Sequence, residues 1–161
     1  HSKGIAIHGM FVFGSDADEK ETIKETIRFA KKNRIETVQF LILTPLPGTP
    51  HYENLKEERR ILCYEWNRFD AFNVVYLPKK MTPYQLQLWT LSAMTKFYSM
   101  VRVLKSLFKG QLRLTFLYFY GRLSLFLWRL KNKNRIRLLQ KDSKEIFLPS
   151  FMQASCPARS G

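Results

Sequence analysis

Two short runs of this chain are apolar almost throughout, and a run with helical spacing lies between them. Residues 4–14, Gly-Ile-Ala-Ile-His-Gly-Met-Phe-Val-Phe-Gly, are rich in β-branched and aromatic side chains and are bounded by Gly4 and Gly14. That pattern predicts a strand buried on both faces, and Thr37-Val-Gln-Phe-Leu-Ile-Leu43 predicts a second of the same kind. Between them Ile23, Ile27, Ala30 and the aliphatic stem of Arg34 fall at i, i+4, i+7 and i+11. This is the apolar stripe of an amphipathic helix of about four turns that ends near Asn33. Asp18, followed three residues later by Glu21, has the form of a capping box at its start. Strand, helix, strand in this order predicts a βαβ unit with parallel, adjacent strands, so the fold class is α/β.

One such unit cannot cover both faces of its own sheet. The chain offers at most one more strand, Ala71–Tyr76, closed by Pro78. The loop Thr44-Pro-Leu-Pro-Gly-Thr-Pro50 is rigid, and Thr49 with Pro50 predicts a short helix running to about Arg60. Thr82-Pro83-Tyr84-Gln85 is a second helix start. From it Leu86, Trp89, Ala93, Phe97, Val101, Leu104 and Phe108 recur at helical spacing, which predicts one helix reaching Gly110. A further helix is expected from about Leu112 to Leu130, with Lys131–Asn134 as its solvated end, and an irregular tail from Lys141, mobile over Ser155–Gly161.

Composition sharpens the picture in two ways. Hydrophobic residues at 45% and charged residues at 25% are globular values and exclude wholesale disorder. The two cysteines, Cys63 and Cys156, exclude a disulfide framework and any all-cysteine zinc or iron–sulfur site built from this chain alone. His1, His8 and His51 have no metal-ligand spacing, so no metal site is expected within the chain. Charge is divided unevenly. Residues 1–80 carry 13 basic and 11 acidic side chains, residues 81–161 carry 14 and 2, and no acid occurs between Asp70 and Asp142.

Ligands of parallel α/β folds sit at the carboxyl ends of the strands. Here those ends are Val12-Phe13-Gly14-Ser15 and Leu43-Thr44-Pro45-Leu46. Gly14 would let a planar ring approach closely; the residues by themselves favour the plainer reading, the glycine of a tight turn with Val12 as ordinary core. The acids Asp16, Asp18, Glu19 and Glu21 fit helix capping better than a divalent cation site. His8 reads as a satisfied core histidine and Cys63 as a buried thiol. Trp66, Asp70 and Asn73 either reach over a barrel mouth or anchor a returning segment. No glycine-rich dinucleotide fingerprint or P-loop is present.

Phe11-Val12-Phe13-Gly14, an acidic turn and the Glu-Thr-Ile-x-x-Thr-Ile-x-Phe-Ala helix resemble the fifth strand and following helix of radical S-adenosylmethionine enzymes. Val38–Leu43 with its Pro-Gly-Thr loop resembles the sixth barrel strand, although the Pro-Gly pair usual in the first turn is missing. The segment Trp66–Phe72, then Met81-Thr82-Pro83 opening a helix with Phe97-Tyr98-Ser99, is similar to the branch that carries an N-terminal cobalamin-binding domain. The likeness runs from about Gly4 to Leu139. It implies a fragment of a (βα)6 partial TIM-like barrel, its last βαβ unit, over residues 1–62. A connecting segment 63–80, a mainly helical basic region 81–140 and the tail 141–161 would follow. The implied parent enzyme uses S-adenosylmethionine, a 4Fe–4S cluster and cobalamin for methyl transfer or other radical chemistry. The resemblance places Val12, Gly14, Leu43, Thr44 and Pro45 around the adenine, with no acid, base or nucleophile among them.

The cluster's Cys-x-x-x-Cys-x-x-Cys loop has no counterpart in this sequence. The implied expectation is therefore that the chain is entered midway, that its partner is the N-terminal part of the same enzyme, and that alone it is inactive and binds none of the three cofactors stably. A small or lipid-like substrate fits this reading, as does a cytoplasmic location.

The basic region keeps a different possibility open. Its apolar runs fall short of the about 20 residues needed to span a bilayer. Helices with Phe, Leu and Trp interleaved with Arg and Lys either cover the barrel or lie on an anionic membrane surface, at the inner face. Nucleic acid is disfavoured because no RNA- or DNA-binding motif accompanies the charge. The competing class is thus a non-enzymatic basic helical protein that docks on anionic membranes.

Overall fold

The computed structural model describes residues 3–145, with side chains to 141. Along the chain the elements are β1 (His8–Phe13), α1 (Lys20–Lys32), β2 (Thr37–Ile42), α2 (Pro50–Glu57), α3 (Pro83–Phe97), α4 (Met100–Phe108), α5 (Leu112–Lys131) and α6 (Lys133–Glu145). A single 3-10 turn occupies Trp66–Arg68. β1 and β2 pair in parallel, from His8 opposite Thr37 to Phe13 opposite Ile42. With α1 as the crossover they form the expected βαβ unit. Among the described residues the sheet has these two strands; Ala71–Tyr76 supplies an isolated antiparallel bridge between Ile61 and Tyr76 instead of a third.

Neither strand is buried on both faces, which corrects the sequence expectation. Phe13, Val38, Phe40 and Ile42 lie on the covered face with Ile23, Ile27 and Ala30 of α1 and Leu86, Met94 and Phe97 of α3. Phe40 ties that core together, stacked on Phe13 at 5.4 Å and meeting Phe97 edge-on at 6.2 Å. The other face carries His8, Met10 and Val12 of β1, all exposed, beside Thr37, Gln39 and Leu41 of β2. His8 is consequently a surface residue and no core histidine: its Nδ1 lies 2.8 Å from Thr37 Oγ1 on this open face. Apolar content alone cannot separate a two-sided strand from a one-sided one whose second face is also apolar.

The outer edge of β2 is bonded at two points, by a side chain and by a loop. Tyr98 closes α3, and its hydroxyl donates to the Val38 carbonyl at 2.7 Å and accepts the Val38 N–H at 3.0 Å. Further along, Ile42 N–H donates to the Ala71 carbonyl at 2.7 Å. Gln87, almost fully buried, then satisfies the returning segment: its Oε1 accepts Val74 N–H at 3.2 Å and its Nε2 donates to the Phe72 carbonyl at 2.8 Å. Asp70 turns that segment, accepting Phe72 N–H, Asn73 N–H and Asn73 Nδ2 at 2.8–3.0 Å. Asp70 and Asn73 therefore anchor a returning chain.

The helices also depart from the sequence reading, each time for a local reason. At α1 the reciprocal pair is Glu19 with Thr22, whose Oγ1 accepts Glu19 N–H at 3.2 Å; Asp18 has turned back toward the preceding loop. The helix expected from Thr82 to Gly110 breaks at Tyr98–Ser99, because Tyr98 leaves helical geometry to reach the β2 edge. Arg102 then packs over Phe97 at 4.0 Å and Tyr118 at 4.8 Å and donates to the Ile35 carbonyl at 2.7 Å. The break rotates Val101, Leu104 and Phe108 outward and buries Val103 and Ser106 in their place. Asn132 ends α5, its N–H and Nδ2 both donating to the Trp128 carbonyl, and α6 follows directly. The backbone thus stays helical past Lys141 to Glu145; residues 146–161, Cys156 among them, lie outside the described residues.

Tyr98→Phe removes both bonds to Val38 while keeping the ring. The buried Val38 amide then lacks its partner, a loss of about 1–3 kcal/mol. Urea unfolding of the variant is expected to show a lower midpoint at unchanged slope; an unchanged midpoint would mean that solvent reaches this edge.

Candidate functional site

The carboxyl ends of the two strands are fixed side by side by Leu43 N–H donating to the Phe13 carbonyl at 2.8 Å. One residue beyond, Gly14 has φ of 110°, a conformation that penalises any Cβ. Space forbids one too: a Cβ here would lie 2.4 Å from the Tyr76 hydroxyl oxygen and 2.8 Å from Leu86 Cδ2. Both backbone groups of Gly14 are committed within the chain. Its carbonyl accepts the Tyr76 hydroxyl, and its N–H donates to Asp18 Oδ2 at 2.8 Å. The same Asp18 oxygen receives Ser15 N–H at 3.0 Å, which shapes the turn into α1. Burial pushes the Tyr76 hydroxyl's pKa up, so it stays a proton donor to Gly14.

Beyond these tips an open cleft of about 580 Å³ is lined by Ser15, Asp16, Leu43, Thr44, Thr49 and His51, with Leu46 at its side. Of the residues singled out from sequence, Leu43 and Thr44 line it directly. Gly14 lies buried immediately behind Ser15, and Pro45 is buried beneath the loop. Val12 stands apart from the cleft wall, 54% exposed on the open sheet face beside its register partner Leu41. Earlier in β1, strand alternation puts Gly9 on the covered face, against Phe11 and Ile35.

An ion-pair cluster at the cleft rim escaped the sequence reading. Arg60 donates to both Asp16 oxygens, at 2.5 and 3.1 Å, to Glu58 at 2.8 Å and to the Leu77 carbonyl at 2.7 Å. Lys79 approaches Asp16 to 3.2 Å. The Arg60 hydrogen bonds hold the Asp16 carboxyl down at about 2, against its ordinary 3.8, with Lys79 adding to the effect. Asp16 was assigned to helix capping from its place before α1; its partners come from 40 and more residues away, and no local pattern announces them.

A second cavity, about 520 Å³ and largely apolar, lies along the β2 edge between α3 and α5. Val38, Phe40, Met94, Leu125 and Trp128 form much of its wall. Thr90 also faces it, buried, and its Oγ1 has no hydrogen-bond partner. Among the described residues no group of three or more His, Cys, Asp or Glu side chains could hold a metal ion, and Cys63 is a free, buried thiol. The donors present here do not fit an iron–sulfur cluster.

No protein-family model matches the chain, and no solved structure does. Curated relatives do. The chain is 40% identical over 81 residues to bacteriochlorophyllide d C-12(1)-methyltransferase of Chlorobaculum tepidum, a match that covers 50% of this chain and 17% of that enzyme. It is 32% identical over 101 residues to bacteriochlorophyllide d C-8(2)-methyltransferase of the same organism, 63% of this chain and 22% of the relative. It is 26% identical over 94 residues to the anaerobic magnesium-protoporphyrin IX monomethyl ester cyclase of Cereibacter sphaeroides, 58% of this chain and 15% of the relative. The chain therefore spans less than a quarter of the length of each of these relatives.

Two outcomes follow from the geometry of the tips. Gly14→Ala combines a disfavoured φ with displacement of the Tyr76 hydroxyl and is expected to cost roughly 1–3 kcal/mol by denaturant unfolding. Adding Tyr76→Phe should recover part of that loss; a double variant worse than the sum of the single ones would contradict the assigned contact. The Asp16 carboxyl titrates lower in the folded protein than in the unfolded chain. Its ion pairs therefore contribute stability that is complete above about pH 5 and lost as pH falls through 3.8 toward 2. Asp16→Asn should flatten the acid limb of a thermal-stability profile in that window and leave the neutral-pH slope unchanged.

Proposed function

We propose that this chain is the C-terminal portion of a radical S-adenosylmethionine enzyme of the cobalamin-binding branch, acting in methyl transfer or related radical chemistry. The observation that carries the reading is the parallel β1–β2 pair with its tips locked together and a cleft opening at their carboxyl ends. The order of sequence motifs from Gly4 to Leu139 supports it. So do the names of the relatives, two methyltransferases and an anaerobic cyclase.

In this reading the βαβ unit is the end of a (βα)6 partial barrel, and the open face of β1 and β2 looks into its interior. Val12 gives an apolar wall to the adenosyl group, and Leu43 and Thr44 border its edge from the cleft. Gly14 and Pro45 act from behind. With its N–H and carbonyl already engaged, Gly14 holds the tip in place by accepting Tyr76 and leaves ring contact to its neighbours. When bound, S-adenosylmethionine, with a 4Fe–4S cluster and cobalamin held by the rest of the enzyme, supplies the radical and methyl-transfer chemistry. The residues of this chain orient the cofactor and keep water from it; none is assigned a proton to move. The apolar cavity along the β2 edge is suited to the hydrophobic part of a substrate and to little that is charged.

The test has two steps. The gene that encodes this chain should carry, upstream and in frame, a Cys-x-x-x-Cys-x-x-Cys segment; its absence from the authentic gene product would overturn the assignment. In the anaerobically prepared whole enzyme, Val12→Asp is expected to weaken S-adenosylmethionine binding on the order of tenfold by equilibrium dialysis, about 1.4 kcal/mol. Val12→Ile should bind as wild type. Equal affinity in all three proteins would remove Val12 from the site.

A further inference from the structure

The two sides of α5 are both apolar. Inward, Leu114, Tyr118 and Leu125 pack on the core. Outward, Leu112, Phe116, Phe119, Leu123, Phe126 and Leu130 are all exposed. At roughly 100° per residue these six fall within one arc of about 80° along the full helix, a continuous stripe of about 30 Å. Phe108, the last residue of α4 before the turn into α5, is 87% exposed as well. Isolated exposed apolar side chains are ordinary, whereas an aligned row of them marks a surface that meets something other than water.

Charge identifies the occupant. At the same helical spacing Arg113 and Lys131 fall on one border of the stripe and Arg122 and Arg129 on the other; Lys105 on α4 and Lys109 just after it are exposed. Arg102 and Arg122 have internal acceptors, the Ile35 and Thr95 carbonyls. Among the described residues, Arg113, Lys105, Lys109 and Lys131 have no such acceptor. The ion pairs of Asp16, Glu19, Glu21 and Glu58 lie within residues 16–80, and no acid occurs in the sequence between Asp70 and Asp142. A folded protein partner would need a long apolar groove with acids along both rims. An anionic bilayer offers both properties everywhere: acyl chains for Phe and Leu, and headgroup phosphates for the cations at the borders. Among the described residues no helix is long and apolar enough to cross a membrane, so α5 would lie in the surface plane.

We propose that the outward stripe of α5, with Phe108 at the hairpin tip, inserts into the headgroup–acyl boundary of an anionic membrane. This surface is independent of the strand-tip cleft, and either assignment can fail without the other.

The test is flotation of the full 161-residue chain with vesicles of phosphatidylcholine alone and of phosphatidylcholine with 30% phosphatidylserine, taken here as roughly the anionic content at which basic surface segments bind. Binding to the anionic vesicles is expected to exceed binding to the neutral ones by about tenfold or more and to weaken in 0.5 M salt, a roughly fivefold rise over usual ionic strength. Phe116→Glu with Phe119→Glu should abolish it. Because both positions are solvent-facing, the variant should keep its circular dichroism spectrum. Three results would overturn the proposal: no binding to either vesicle, unchanged binding by the double glutamate variant, or a stable dimer in solution whose formation removes vesicle binding. Binding of the chain to RNA that the double glutamate variant retains, with none to vesicles, would equally reject it.

Discussion

A strand whose edge is buried must have its amides bonded, and this constraint organises the molecule around the outer edge of β2. β1 occupies one edge of β2; the other is bonded at two points, by the Tyr98 hydroxyl at Val38 and by the Ala71 carbonyl at Ile42. Each contact fixes a distant piece of chain. Tyr98 sets where α3 ends and so how α4 departs. Ala71 places the returning segment, whose own amides then require the buried Gln87 of α3. The aromatic core of Phe13, Phe40 and Phe97 adds burial energy, yet it does not say where each element stops. The edge does.

The strand tips show the same economy. Gly14 is required in this protein by Tyr76 and Leu86, which fill the space a Cβ would take. That packing brings the segment after Ile61 up against the first strand's end, and Arg60 fastens it from the other side through Asp16. The cleft is therefore built by residues far apart in sequence, held by one buried hydroxyl and one guanidinium.

α5 serves two environments at once. Its inner side completes the core through Tyr118, on which Arg102 is stacked, and its outer side presents aromatic and leucine side chains bordered by cations. Helices of this kind have low amphipathic contrast, since both sides are apolar, and their function cannot be inferred from periodicity. What distinguishes the two sides is which neighbours the fold provides.

The βαβ unit, the stripe of Ile23, Ile27 and Ala30, the starts of α2 at Thr49 and of α3 at Thr82, and the extent of α5 were all legible in the sequence. Each rests on interactions within a few residues of chain, where spacing and capping chemistry are decisive. Leu43 and Thr44 could be placed at a strand end for the same reason. The exposure of His8, Met10 and Val12, the break at Tyr98, the pairing of Asp16 with Arg60 and the role of Tyr76 behind Gly14 could not. The last three depend on contacts across 44 to 62 residues and the exposure on what leaves that face uncovered; an apolar or acidic side chain looks the same in sequence whichever partner the fold brings to it. Local patterns determined which elements form; only the tertiary structure decided which of their faces are covered, because burial is a property of neighbours.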